Sequence, residues 1–246
     1  MRLPSVVACC CAVLLPPTSR AQGVGRPPGD SPDTNAAAAV MRDMSQPVGD
    51  LHRRMTPLRA PQPGDSARAA ALLVAIRERV ARYRDVRVAV ADGYRPFLRG
   101  VKQPVYHHTN RRNALAERFR FDPAAPTSLL YRQDSTGGLV LVGVMYSEAP
   151  GATPEELDRR VPLSIARWHQ HVNLCLPPLG TPARWRDSSS GRPVFGPRSP
   201  VATPDACAAV GGRFVPRLFG WMVHINAFAD DSAAVWGGHE MHEHTR

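Results

Sequence analysis

Three tripeptides place a histidine two residues before an asparagine: "HTN" at His108 to Asn110, "HVN" at His171 to Asn173 and "HIN" at His224 to Asn226. The chain has nine histidines and five asparagines, so most of the asparagines fall in this one arrangement, which points to a shared site. Neutral imidazole is a ligand for transition metals. A neighbouring amide can orient the ring or a bound water. The chemistry on offer is a mononuclear histidine site suited to zinc, copper or iron.

Convergence of those rings depends on the elements that carry them. In "ARWHQHVNL", Ala166, Trp168, Val172 and Leu174 alternate with Arg167, His169, His171 and Asn173, and only Gln170 breaks the pattern. Period two predicts a strand, on which His169 and His171 project from one face; on a helix they would point in nearly opposite directions. In "GWMVHINAF", Trp221, Val223, Ile225 and Ala227 alternate with Met222, His224, Asn226 and Phe228. Pairing of these two strands would turn His224 toward His169 and His171. In "VYHHTN" the histidines are adjacent, so a strand shows one to each face. Either His107 or His108 is then a possible fourth ligand. The expected set is His169, His171 and His224 with His107 or His108, and Asn110, Asn173 and Asn226 lie beside them. The tail "HEMHEH", His239 to His244, matches no closed metal motif and reads as a solvated run or a second metal locus.

Two other classes compete with a metal-binding or metal-handling role. A metal-free interaction module would use the histidines and asparagines as a polar strip for a protein or glycan partner. A metalloenzyme would keep a coordination position open for water or oxygen. The sequence has no G-x-S-x-G elbow, P-loop or dinucleotide-binding glycine loop. Glu148 and Asp92 are isolated local carboxylates.

The first segment, "MRLPSVVACCCAVLLPPTSRAQG", has a basic start, a short apolar run and small residues before a cleavage point. It reads as a signal peptide over residues 1–21, with lipidation at Cys9 as an alternative, and implies an exported, periplasmic or secreted protein. The apolar run is too short for a membrane span. After its removal only Cys175 and Cys207 remain. They form a disulfide, or Cys175 is a metal thiolate four residues after His171. The formal net charge of +10 comes from scattered arginines without an aromatic-interleaved basic run, so no nucleic-acid partner is expected.

Residues 22–65 are rich in Pro, Gly, Ala and Asp and read as a leader without a stable core. From Ser66, a plausible N-cap, to Gly93, the spacing of Leu72, Leu73, Ile76, Val80, Tyr83, Val86 and Val90 predicts one long amphipathic helix. Five strand-like runs follow: "PVYHHT", "TSLLYRQ", "GLVLVGVMYSE", "SIARWHQHVNLCL" and "LFGWMVHINAF". The second and third flank "QDSTGG", a hairpin loop. The assembly is α+β, a mostly antiparallel sheet packed against one long N-terminal helix, with long Pro/Gly-rich loops. It forms a single domain over residues 66–236. Residues 177–216 form a surface excursion, and residues 237–246 a His-rich frayed tail.

The segments "ADGY", "YHHTN", "TSLLYRQDSTGGLVLVGVMY" and "WHQHVNL" resemble those of a group of exported bacterial proteins with no established activity. In that group a long helix ends in A-D-G-Y, and a Y-H-Y-x-N-like segment follows. After it come a hairpin of the form LLYE…LxLVxVEY and a later strand containing L-H-V. The resemblance covers roughly residues 70 to 175. It implies domain boundaries and marks His107 and His171 as matching positions. This chain has Met145 where the group tends to have glutamate, and His108 where it has tyrosine.

Overall fold

The computed structural model describes Ala39 and residues 50–100, 103–229 and 232–236. The expected signal segment with Cys9, most of the leader and the His239 to His244 tail lie outside the described residues. Leu72, Ile76, Val80 and Tyr83 are buried, as their spacing predicts, but the element that carries them is broken. Helix α1 is Asp65–Val80, a 3-10 turn Ala81–Arg84 follows, and α2 is Val86–Ala91. Asp85 causes the break. Its backbone is extended, and its side chain accepts the Arg87 N–H, so it caps α2 and ends the helix before it. The start is corrected as well: Gly64, in the left-handed region, holds the N-cap position, and Ser66 lies inside α1.

The strands are β1 (Arg53–Met55), β2 (Arg95–Pro96), β3 (Tyr106–Thr109), β4 (Ser128–Gln133), β5 (Leu139–Glu148), β6 (His169–Leu176), β7 (Ser188–Ser189), β8 (Arg192–Pro193), β9 (Arg213–Arg217) and β10 (Trp221–Ile225). The main sheet runs β1-β6-β10-β5-β4-β3-β2, with β9 on β6, and every pairing is antiparallel. Each of the five predicted runs contains a strand, and β4 and β5 form the predicted hairpin. The fold class is α+β.

Period-two alternation divides the sheet into two faces. Leu129, Tyr131, Val144, Tyr146, Trp168, Trp221, Val223 and Ile225 pack with Leu72, Ile76, Val80 and Tyr83 in the main core. Burial of each such side chain contributes about 1.5–3 kcal/mol. Gln170 shares this face. It is buried and donates its amide to the Pro150 carbonyl.

The expected leader enters the fold. β1 lies against β6, with Arg53 opposite His171 and Met55 opposite His169. Arg59 forms ion pairs with Asp65 and Asp158, tying this segment to α1 and to α4 (Pro154–Arg160). These bonds hold the Asp65 carboxyl well below its usual range. The stretch expected as a surface excursion is also more structured: it contains the β7–β8 hairpin, α5 (Pro204–Ala209) and β9. Phe195 packs there against the Cys175–Cys207 disulfide.

Gly143 sits where the β4–β5 register shifts, a bulge in β5. A Cβ at this position would lie 2.2 Å from the Ile225 carbonyl oxygen of β10. Backbone cannot rotate away as a side chain can. The Gly143→Ala variant is expected to lose about 1–3 kcal/mol of stability in urea unfolding, through displacement of the strand that carries His224. An unchanged midpoint would show that β10 gives way without cost.

Candidate functional site

The face opposite the main core carries the histidines. His107 on β3 stands opposite Leu130, His224 on β10 opposite Met145, and His169 on β6 opposite Met222. Ring centroids are 5.4 Å apart for His107 and His224, 5.2 Å for His224 and His169, and 5.3 Å for His169 and His171. The four imidazoles form one continuous buried strip.

In a flat sheet the three strand steps from β3 to β10 would span about 14 Å. The ring centroids of His107 and His224 lie far closer than that, at 5.4 Å. The bulge at Gly143 bends β5 between them. Phe219 lies against His171 at the outer end, with centroids 6.1 Å apart.

His107 fixes its own tautomer. Its Nδ1 is 3.2 Å from the Val105 carbonyl, which can only accept, so Nδ1 carries the hydrogen. Burial lowers the pKa of this ring to about 4 and keeps it neutral. The lone pair on Nε2 therefore points to His224, whose Nε2 is 3.3 Å away. That spacing suits two arrangements: His224 donates its Nε2–H to His107, or both lone pairs face one cation. Metal–nitrogen bonds of about 2.0–2.1 Å in tetrahedral geometry give a ligand-to-ligand edge of about 3.3–3.4 Å.

Among the described residues no group of three or more His, Cys, Asp or Glu is arranged to hold a metal ion. The pair has the spacing, and a third imidazole would have to turn toward it. His169, adjacent to His224, is better placed than His171. Arg53 stands opposite His171, and a guanidinium there disfavours a cation at that end of the strip.

The remaining expected residues serve elsewhere. His108 points into the main-core side, where its ring meets Tyr131 at 4.8 Å between centroids. Burial lowers its pKa. The asparagines do not orient rings: Asn110 and Asn226 directly follow β3 and β10, and Asn173 lies within β6. Asn110 caps α3 (Arg111–Ala116) by accepting the Arg112 and Asn113 N–H groups, and it donates to the Asp92 carbonyl. Asn173 adopts a positive φ of 56° and donates to the Leu51 carbonyl. Asn226 donates to the Ala234 carbonyl. In two of the three tripeptides the asparagine is thus the first residue after the strand, and in the third it takes a left-handed backbone inside β6. Glu148 is paired with Arg160, and Asp92 binds Arg82 and Tyr83, so neither serves the strip. Cys175 is in the disulfide and is not a thiolate ligand.

Two features were not anticipated from the sequence. Met145 is buried on the strip face beside Met222, a placement that follows from strand phase once the pairing is known. Glu117 is buried beyond α3 without any motif to mark it. No helix among the described residues is long and apolar enough to cross a membrane. No protein-family model matches the chain, and no curated protein or solved structure matches it significantly, so a functional reading rests on the geometry of the strip.

Proposed function

We propose that the chain is an exported metal-binding protein that holds one transition-metal ion between His107 and His224, with His169 turning in as the third imidazole. The observation that carries this reading is the 3.3 Å separation of the His107 and His224 Nε2 atoms. The His107 Nδ1–H bond to a carbonyl supports it, because it orients the ring and directs the lone pair inward. The minimal role is binding or metal handling. An enzymatic role would further require an open coordination position. The disulfide fits an oxidising compartment and supports the exported location.

A second reading follows from the same pair. If His224 donates a hydrogen to His107, the strip is a metal-free hydrogen-bonded element of an interaction module.

Elemental analysis of the tag-free full chain separates the two. Near-stoichiometric metal is expected in the parent and in His108→Ala, and none in His107→Ala/His224→Ala. Chelation is expected to lower the melting temperature of the parent, since an ion at 100 times its Kd contributes about 2.7 kcal/mol. A metal-free parent that cannot be loaded, with a melting temperature indifferent to chelator, would select the second reading.

A further inference from the structure

We propose that the ion is copper, bound as Cu(I) by imidazole nitrogen and methionine sulfur together. This inference rests on the reading of the strip as a metal site and names the metal. The observation is the register of the methionines. Met55 and Met222 are the cross-strand partners of His169 on its two sides, and Met145 is the partner of His224. These are the only methionines among residues 50–100, 103–229 and 232–236. Each one therefore stands opposite a histidine of the strip.

Methionine is a common filler of irregular cores, and filling alone would place it on either face. The larger core between helices and sheet contains no methionine among its described buried residues, although it holds the most apolar volume. The thioethers instead collect on the face with the imidazoles. Side chains directly opposite on antiparallel strands have Cβ atoms about 4.5–5.5 Å apart, so a flexible thioether can reach an ion held by its partner ring. Met222 and His224 also share one strand and one face, two residues apart.

The donor set then selects the metal. Thioether sulfur is soft and neutral and binds Cu(I), whereas zinc sites use imidazole, thiolate or carboxylate. Among the described residues no thiolate is available, because Cys175 and Cys207 are bonded to one another. Among the described Asp and Glu residues none joins the histidines as a metal-holding group. Neutral nitrogen and sulfur donors in a buried strip favour the lower-charged ion, because burial of charge is costly.

The test titrates the metal-free full chain under anaerobic conditions with Cu(I) against a chromophoric Cu(I) chelator, and separately with Zn(II). The parent, Met145→Leu/Met222→Leu and His107→Ala/His224→Ala are compared. Leucine conserves volume, so the methionine variant keeps its fold, which circular dichroism checks. The expected result is Cu(I) binding in the parent, weakened by about tenfold or more in the methionine variant, with Zn(II) affinity nearly unchanged by that substitution. X-ray absorption of the Cu(I)-loaded parent is expected to show sulfur scatterers that diminish in the methionine variant. Equal Cu(I) affinity in parent and methionine variant, with loss only in the histidine variant, would overturn copper selection by methionine and leave the histidine site standing. A parent that binds neither ion would overturn both readings.

Discussion

Replacement of Cys175 and Cys207 together by alanine is expected to lower the unfolding free energy by about 4 kcal/mol. The two residues are 32 apart in sequence, and in the chain-entropy account closing a loop of that length restricts the unfolded chain by an amount of this size. Native-state terms act in the same direction. Both cysteines are buried beside Phe195, and a Cβ on Gly212 would lie 2.4 Å from the Cys175 sulfur, so the bridge fills its space tightly. Cys175 also lies on β6, the strand of His169 and His171. The histidines themselves are held at the other end of β6 by β1 and β10. Urea unfolding of the parent and the double variant, with the amide exchange of β6 followed in each, measures the loss and its location. A difference below about 1 kcal/mol would mean that packing of α5 against β9 and β6 holds this region without the bridge.

The parts of the fold that were readable in the sequence are those governed by local periodicity. The alternation through Ala166, Trp168, His169 and His171 determines which side chains leave which face, and the structure follows it until Asn173. There a positive φ interrupts the alternation, within the stretch from Val172 to Leu176 that pairs with β9. The break between α1 and α2 was not readable from the apolar stripe. The stripe continues through Asp85, but the competing hydrogen bond of that side chain to the Arg87 N–H does not register in hydrophobic spacing.

The site divides in the same way. His169 beside His171 is a property of one strand, and His224 beside His169 needs only two strands to be neighbours. The approach of His107 to His224 depends on three successive pairings and on the bulge at Gly143. None of these is local. The choice between His107 and His108 was open for the same reason, since adjacent strand residues differ only by which face is buried against what. The methionines illustrate the converse. Met222 beside His224 is local to one strand, but Met145 joins them only through register, because Met145 and His224 are far apart in sequence and directly opposed in space.

The Glu117→Gln substitution is expected to convert a pH-dependent cost into a nearly constant one. Glu117 is buried, and its Oε2 accepts hydrogen bonds from the Thr127 hydroxyl and the Ser147 N–H, while Oε1 has no hydrogen-bond partner. Burial raises its pKa from 4.5 to about 7, against the lowering effect of those bonds and of Arg160. Below about pH 4.5 the group is protonated in folded and unfolded chains alike and exacts no penalty. Between 4.5 and 7 the unfolded chain gives up the proton and the folded chain keeps it, so stability falls as pH rises, by about 3 kcal/mol in all. Above pH 7 the penalty is complete.

The parent alone will not display this slope cleanly. His107, with its pKa lowered from 6.5 to about 4, has the opposite effect across an overlapping range, because its contribution is present above pH 6.5 and lost as the pH falls. Asp65, Asp85, Asp134 and Asp158, all with lowered pKa values, lose their contributions below the window. The difference between variant and parent cancels these shared terms. Urea unfolding of both proteins from pH 4 to 8.5 is therefore expected to show the stability of Glu117→Gln relative to the parent rising by about 3 kcal/mol between pH 4.5 and 7.5 and then levelling. A difference independent of pH would mean that Glu117 ionises in the folded protein as readily as in the unfolded chain, with water or Arg160 reaching it where the static arrangement leaves Oε1 alone.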